Sequence, residues 1–313
     1  MSALVGAVHD SAHRTLGCMQ CHDASLSTKL RHVRVHLSRH VPEQIVLREQ
    51  DVLVMQAKCQ SCHQREYASW HAGGHAATFK EIFADPSHNS RRHLMEDCLR
   101  CHGMHFKGSI KELVTPYDTQ GPWRIVPQGL TAAPVMPCMT CHQVHRQGQP
   151  MMQLQKRVAI VSPHVISTLG LYDRREQVHF QVATLAIPQL YDGARPLRMS
   201  EDPLQGLCYQ CHAPRVPEPG SPAAMAHWGE QAGSGDDRTP MGVHEGLSCR
   251  ACHTGHDEST AASCKQCHPK MSDCGQDVEK MDTTFANPKS AHNIHWVRCT
   301  DCHAQGIPKK KPV

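Results

Sequence analysis

The sequence predicts a mostly α-helical and irregular fold with a small apolar core of its own and one small β element. Three observations predict it. The pentapeptide Cys-x-x-Cys-His occurs eight times in 313 residues, which leaves room for short helices and loops between copies. Aromatic residues make up only 4% of the chain, too few for an ordinary core of this length. A longer stretch without the pentapeptide, near the middle, contains alternating and β-branched segments.

The repeated pentapeptide is the attachment signature of a c-type haem. Its two thiols form thioethers with the porphyrin, and its histidine becomes the proximal ligand of the iron. We therefore expect eight covalently bound haem c groups, at motifs one to eight in chain order. The attaching cysteines are Cys18 and Cys21, Cys59 and Cys62, Cys98 and Cys101, Cys138 and Cys141, Cys208 and Cys211, Cys249 and Cys252, Cys264 and Cys267, and Cys299 and Cys302. The expected proximal ligands are His22, His63, His102, His142, His212, His253, His268 and His303.

Two other uses of paired cysteines fit the pattern less well. Zinc ribbons also contain Cys-x-x-Cys pairs, but zinc does not require a histidine directly after the second cysteine. Here every pair has one, although the chain holds only 26 histidines in 313 residues. Disulfides between cysteines this close in sequence are strained. Only Cys274 is left over, and it is interpreted as a buried thiol in preference to an intermolecular disulfide or an iron ligand.

Bound haem would also account for the composition. Porphyrins supply large flat apolar surfaces, so few aromatic side chains are needed. Each haem adds two propionates, so the formal charge of +4 does not describe the loaded protein and gives no argument for a nucleic-acid partner. The chain has no run of about 18 apolar residues and is not expected to span a membrane. Covalent haem attachment takes place outside the cytoplasm, so we expect a periplasmic or extracellular protein, although the first residues show no signal peptide.

The spacing of the motifs predicts three parts. Successive first cysteines are 41, 39, 40, 70, 41, 15 and 35 residues apart, so the first four motifs form a repeat. We predict an N-terminal tetrahaem module over 1–146, a haem-free insert over 147–206 and a C-terminal tetrahaem module over 207–313. Within the insert, 157–162 and 178–187 favour strands that pair as a small hairpin or sheet.

Low-spin haems that transfer electrons usually take a second histidine as the sixth ligand. Candidates recur four or five residues before a first cysteine, three residues after a proximal histidine, and once in a Gly-Gly-His-Ala segment after motif two. A short helix cannot turn a histidine of the second kind back onto its own iron, so it should serve another haem. The eight candidates are His13, His75, His93, His105, His145, His244, His256 and His295.

Several side chains have more than one interpretation. A second group of histidines is held in reserve, as ligands, propionate partners or surface residues: His9, His71, His88, His164, His179, His227 and His292. His32, His36 and His40 lie four residues apart among arginines, which favours a solvated basic helix face over a face that carries ligands. Met151 and Met152 favour packing over ligation of an iron.

Residues 59–79, with motif two followed by Tyr67, Trp70 and His75, resemble the tetrahaem cytochrome c of nitrifying bacteria. Its relatives include the octahaem hydroxylamine oxidoreductase group and the pentahaem nitrite reductases. The resemblance implies that His75 is a distal ligand. It also implies that the haems of this octahaem, multihaem c-type cytochrome stack in alternating parallel and perpendicular pairs as a continuous wire. The histidines that flank the motifs also resemble those of decahaem electron conduits and small periplasmic carriers.

The sequence departs from the enzymes of that group. Pentahaem nitrite reductases have a lysine in place of one motif histidine, and octahaem sulfite reductases have one motif with a long cysteine spacing; neither occurs here. None of the five tyrosines has a context that suggests the tyrosine cross-linked to haem in hydroxylamine oxidoreductases: Tyr67, Tyr117, Tyr172, Tyr191 and Tyr209. These departures favour conduction over catalysis, and no catalytic residue is assigned.

The expected function is therefore electron transfer along eight haems that are mostly or all ligated by two histidines. Expected partners are other redox proteins or cytochromes, with a quinol-oxidising membrane complex as one candidate. Two alternatives stay open. One is a multihaem oxidoreductase that acts on a small nitrogen or sulfur compound at an open iron. The other is a subunit of an extracellular cytochrome filament, a homo-oligomer of this chain.

Overall fold

A computed structural model of the chain describes residues 6, 8–9, 11–22, 25–38, 49–86, 94–117, 122–145, 169–192, 194–212, 240, 242–253, 255–256, 263 and 266–267. The chain divides into two compact units, Met1–Leu185 and Ala186–Val313. This division falls inside the predicted haem-free insert, so the two ends of the insert belong to different units.

Short helices and two-stranded sheets make up the described part of the chain. The α-helices are α1 (Cys18–Cys21), α2 (Leu26–Leu37), α3 (Glu49–Cys62), α4 (Gln64–His71), α5 (Leu99–His102), α6 (Ile110–Leu113) and α7 (Gln205–Tyr209). Tighter 3-10 turns lie at Gly74–Ala76, Glu96–Cys98, Gln128–Leu130, Cys138–Thr140, Val182–Thr184, Gly242–His244 and Cys249–Ala251, with a π turn at Lys80–Ala84. The strands are β1 (Val114–Thr115), β2 (Arg124–Ile125), β3 (Gly170–Asp173), β4 (Val178–Gln181), β5 (Tyr191–Asp192) and β6 (Arg195–Pro196).

The apolar core of the first unit is built around motif three. Leu99, the second residue of that motif, is fully buried among Phe79, Leu113 and Trp123, which belong to the same cluster. Burying a side chain of this size contributes about 1.5–3 kcal/mol. The core therefore holds motif three in place through one of the motif's own side chains.

A capped helical turn and a short ladder close this core. The backbone N–H of Ser109 donates to the carboxylate of Glu112 at 2.7 Å, in a capping box that starts α6. Directly after α6, β1 pairs with β2 in antiparallel register, with Val114 opposite Ile125. Both of these side chains point into the core and are buried.

A hairpin lies in the predicted insert. Strand β4 falls within 178–187 as predicted, and its partner is β3, with Gly170 opposite Gln181 and Asp173 opposite Val178. A turn of four residues joins the two strands. The other predicted strand, 157–162, lies outside the described residues.

The second unit has a smaller apolar cluster. Leu190, Leu197 and Tyr209 are buried together, and Tyr209 is the second residue of motif five. The side-chain amide of Gln189 bridges the backbone by donating to the carbonyls of Leu190 and Leu197, at 3.0 and 2.8 Å. As in the first unit, a side chain inside a motif is part of the core.

Glu49, the first residue of α3, lines a small cleft with Val52, Phe79, His105 and Val135. Burial there raises the pKa of its carboxyl to about 7, from 4.5. The folded state holds this proton more tightly than the unfolded state. The stability that protonated Glu49 contributes is therefore fully present below pH 4.5 and is lost as the pH rises through 7.

We expect Glu49→Gln to raise the free energy of unfolding above pH 7 by about 1–2 kcal/mol, after allowance for partial exposure. The substitution should also flatten the pH dependence that Glu49 contributes. Denaturant titrations at several pH values would measure both effects. Glu66→Gln, at an exposed position on α4, is the control and should leave stability unchanged. Equal pH profiles for the Glu49→Gln and unsubstituted proteins would contradict the prediction.

Candidate haem-binding site

Each motif whose five residues are all described closes a helical turn, and motif two does so at the end of the longer helix α3. In motifs one, two, four, five and six the histidine N–H donates to the carbonyl of the first cysteine, at 2.8–3.0 Å. The donors are His22, His63, His142, His212 and His253, and the acceptors are Cys18, Cys59, Cys138, Cys208 and Cys249. Motif three lies on α5, with Cys98 as its N-cap. Of motif seven only Cys267 of the attaching residues is described, and motif eight lies outside the described residues.

None of the thirteen described motif cysteines forms a disulfide. Cysteines of different motifs are neighbours in both units. Cys59 of motif two lies beside Cys138 of motif four; their interaction, with burial, raises the pKa of Cys59. In the second unit the interaction of Cys249 with Cys208, together with burial, raises the pKa of Cys249. Motif two therefore neighbours motif four, and motif five neighbours motif six.

Two candidate distal histidines lie next to motif histidines. The rings of His13 and His63 have centroids 6.0 Å apart, and those of His22 and His145 are 5.8 Å apart. Burial and the charge of His63 lower the pKa of His13. Each of these pairs joins a histidine inside one motif to a histidine that flanks another.

Apart from His105, three other candidates lie within the described residues, and two do not. His75 lies exposed on the turn Gly74–Ala76, and His244 ends the turn Gly242–His244. His256 is half-buried, three residues beyond His253. His93 and His295 lie outside the described residues, as does Cys274.

Among the described candidates His105 is the most deeply buried, at 4% exposure. Its ring stacks on Tyr172 with centroids 4.4 Å apart, and its Nε2 lies 3.4 Å from the hydroxyl of Thr140 in motif four. His179 meets Tyr172 edge-on, and its Nε2–H donates to the carbonyl of Met139 at 2.7 Å. Burial, and secondarily the charge of His179, lowers the pKa of His105 to about 3, so its ring is neutral and able to bind a metal ion.

Sequence reasoning missed two residues of this cluster. Tyr172 has no motif context, and His179 was only one of several reserve histidines. The available signal was the alternation along β3 and β4, which places Tyr172 directly opposite His179 in the hairpin. The alternation predicts that the two side chains share one face of the hairpin. Only the tertiary structure places that face against motif four.

Two neighbouring arginines in the hairpin turn attach it to the region of motif three. Arg174 pairs with Glu96 at 2.9 Å and donates to the carbonyl of Phe106 at 3.1 Å. Arg175 pairs with Asp97 at 2.6 Å. The backbone of β3 also joins motif four, because the N–H of its first residue donates to the carbonyl of Cys141 at 2.9 Å. The hairpin thus braces two motifs at once.

The second unit braces motif six in a similar way. Glu245, four residues before Cys249, pairs with Arg195 at 2.9 Å and accepts from the backbone N–H of Arg198 at 2.7 Å. Buried Asp202 accepts from the hydroxyl of Ser248 at 2.5 Å. The other end of the predicted insert therefore supports a motif of its own unit.

The described residues fit a covalent haem. A porphyrin supplies four nitrogens to its iron, so the protein has to provide two thiols and one or two axial ligands. The motif turns provide the thiols and a histidine, and Nδ1 of buried His105 has no hydrogen-bond partner in the described structure. Among the described residues no group of three or more His, Cys, Asp or Glu is gathered as a metal site, and axial ligation of haem does not need one.

Comparison with family models, with curated proteins and with solved structures gave no match to this chain. Within the described ranges, no helix has both the length and the apolar character to cross a bilayer. The functional assignment therefore depends on the motifs and on the contacts around them.

Proposed function

We propose that this chain is an octahaem c-type cytochrome that transfers electrons between covalently bound haems. The observation that carries the proposal is the eightfold Cys-x-x-Cys-His pentapeptide, which is a complete attachment site in every copy. The closed turn of the described copies supports it, since the turn brings two thiols and a histidine together.

The bound haem supplies an iron that alternates between the ferric and ferrous states. The chain holds the porphyrins through its thiols, ligates the irons and sets their surroundings. The contact of Cys59 with Cys138 supports close packing of haems two and four, because thioether sulfurs are attached to the porphyrin edge. The contact of Cys208 with Cys249 supports the same for haems five and six.

Partners and location follow from the chemistry. Covalent haem attachment takes place outside the cytoplasm, so the protein acts in the periplasm or outside the cell. Its partners are other redox proteins or cytochromes that exchange electrons at exposed haem edges. The histidine surplus favours a carrier or conduit over an enzyme, since each iron has a candidate sixth ligand.

Protein matured in a host with a c-type haem assembly system is expected to carry eight haems per chain. The intact mass and the pyridine haemochrome absorbance would count them, and a Cys98→Ala/Cys101→Ala variant should lose one. Electron paramagnetic resonance should show low-spin haems, with no change on adding cyanide, nitrite or hydroxylamine. Colourless protein from that host would reject the proposal, and a high-spin haem that binds nitrite would favour the enzyme alternative.

A further inference from the structure

Two histidine pairs in the first unit, His22 with His145 and His13 with His63, have ring centroids about 6 Å apart. His105 stacks on Tyr172 at 4.4 Å, and Tyr172 meets His179 edge-on at 5.2 Å. By contrast, the centroids are 5.8 Å apart for His22 and His145, and 6.0 Å apart for His13 and His63. Each wider pair contains one motif histidine, which is expected to be a proximal ligand.

This spacing fits an iron atom between the two rings. Other ring pairs, such as Phe79 and Phe83 at 6.1 Å, are similarly spaced, but in these two pairs a motif histidine is next to a histidine that flanks another motif. Metal–imidazole bonds are about 2.0 Å long, and a ring centroid lies about 1.1 Å from its nitrogen, so rings on opposite sides of one iron have centroids about 6.2 Å apart. The measured values of 5.8 and 6.0 Å are within a few tenths of an ångström of this distance. The angles between ring planes, 38° and 80°, are both compatible, because either ring can rotate about its bond to the iron.

We infer that His145 is the sixth ligand of the iron whose proximal ligand is His22, and that His13 is the sixth ligand of the iron whose proximal ligand is His63. This assignment rests on the proposed haem-binding function. Haem one then takes its distal ligand from the segment after motif four. Haem two takes its distal ligand from the segment before motif one.

A separate observation brings the same motifs together. Cys21 of motif one lies close enough to Cys59 and Cys62 of motif two for their charges to act on it, and Cys59 adjoins Cys138 of motif four. Motifs one, two and four therefore converge, although motif four is about 80 residues from motif two in a chain whose neighbouring motifs are about 40 apart. It follows that electrons need not pass the haems in the order of the motifs.

Crossed variants test the assignment. His145→Ala and His13→Ala should each convert one low-spin iron into a high-spin iron, measured by electron paramagnetic resonance. Each substitution is then combined with removal of one haem, by Cys18→Ala/Cys21→Ala for haem one or by Cys59→Ala/Cys62→Ala for haem two. The high-spin signal of His145→Ala should vanish only without haem one, and that of His13→Ala only without haem two.

Two further variants keep the test decisive. His71→Ala changes an exposed histidine that stacks on Tyr67 at 5.6 Å, and it should produce no high-spin iron. His145→Met retains an axial ligand if an open iron prevents maturation, and it should raise the midpoint potential of one haem, a change that disappears with haem one. A signal from His145→Ala that persists without haem one, or one from His13→Ala that persists without haem two, would overturn the assignment. Fewer than eight haems in the unsubstituted protein would instead overturn the proposed function.

Discussion

Leu99→Ala is expected to lower the free energy of unfolding by about 3 kcal/mol, which is typical of a large-to-small change in a packed core. Leu99 is 0% exposed, and its side chain fills the space between Phe79 and the backbone at Gly103. Alanine would leave a cavity there, directly beneath the cysteines of motif three. Denaturant titration of the haem-loaded protein, followed by far-ultraviolet circular dichroism, would measure the loss.

Met19→Ala is the matched control, because Met19 occupies the same position in motif one as Leu99 does in motif three. Its side chain is 58% exposed, so truncation should change the free energy of unfolding by less than about 0.5 kcal/mol. Equal losses from the two substitutions would mean that haem, and not the apolar core, supports motif three.

Local parts of the site could be predicted from sequence. The motif turn spans five residues, and its hydrogen bond from histidine to cysteine depends only on those residues and their helical backbone. The strand at β4 was predicted for the same reason, since alternation is a local signal. The predictions of haem, ligation and function remain predictions, because they concern groups that the sequence only implies.

Features that join distant segments could not be predicted. Nothing in the spacing of His145 indicates that its ring lies near His22, 123 residues earlier in the chain. The burial of Leu99 and Tyr209 inside motifs, against the exposure of Met19, likewise depends on which segments pack nearby. Strand β3 could not be predicted, because it includes Gly170 and Asp173, which are depleted in strands.

Arg174→Met is expected to lower the free energy of unfolding by about 1–2 kcal/mol, because it removes hydrogen bonds from a mostly buried guanidinium to two carbonyls and to the half-exposed carboxylate of Glu96. The Arg174 side chain is 17% exposed; it pairs with Glu96 at 2.9 Å and donates to the carbonyls of Phe106 and Gly108. Methionine leaves those carbonyls without this donor. Because the hairpin also carries Tyr172 against His105, a proposed distal ligand, the low-spin resonance of the proposed haem at His105 should shift as well.

Arg175→Met tests whether these effects come from the hydrogen bonds of Arg174 or from the loss of one positive charge in the hairpin turn. Arg175 has the same charge and pairs with Asp97 at 2.6 Å, but its side chain is 50% exposed. Exposed pairs contribute about 0–1 kcal/mol, so Arg175→Met should have a small effect on stability and none on the resonance. If both substitutions shift the resonance equally, the hairpin acts through its overall charge. If only Arg174→Met shifts the resonance, the hydrogen bonds of Arg174 position the ring of His105. The predicted haem-free insert then has a role in haem ligation.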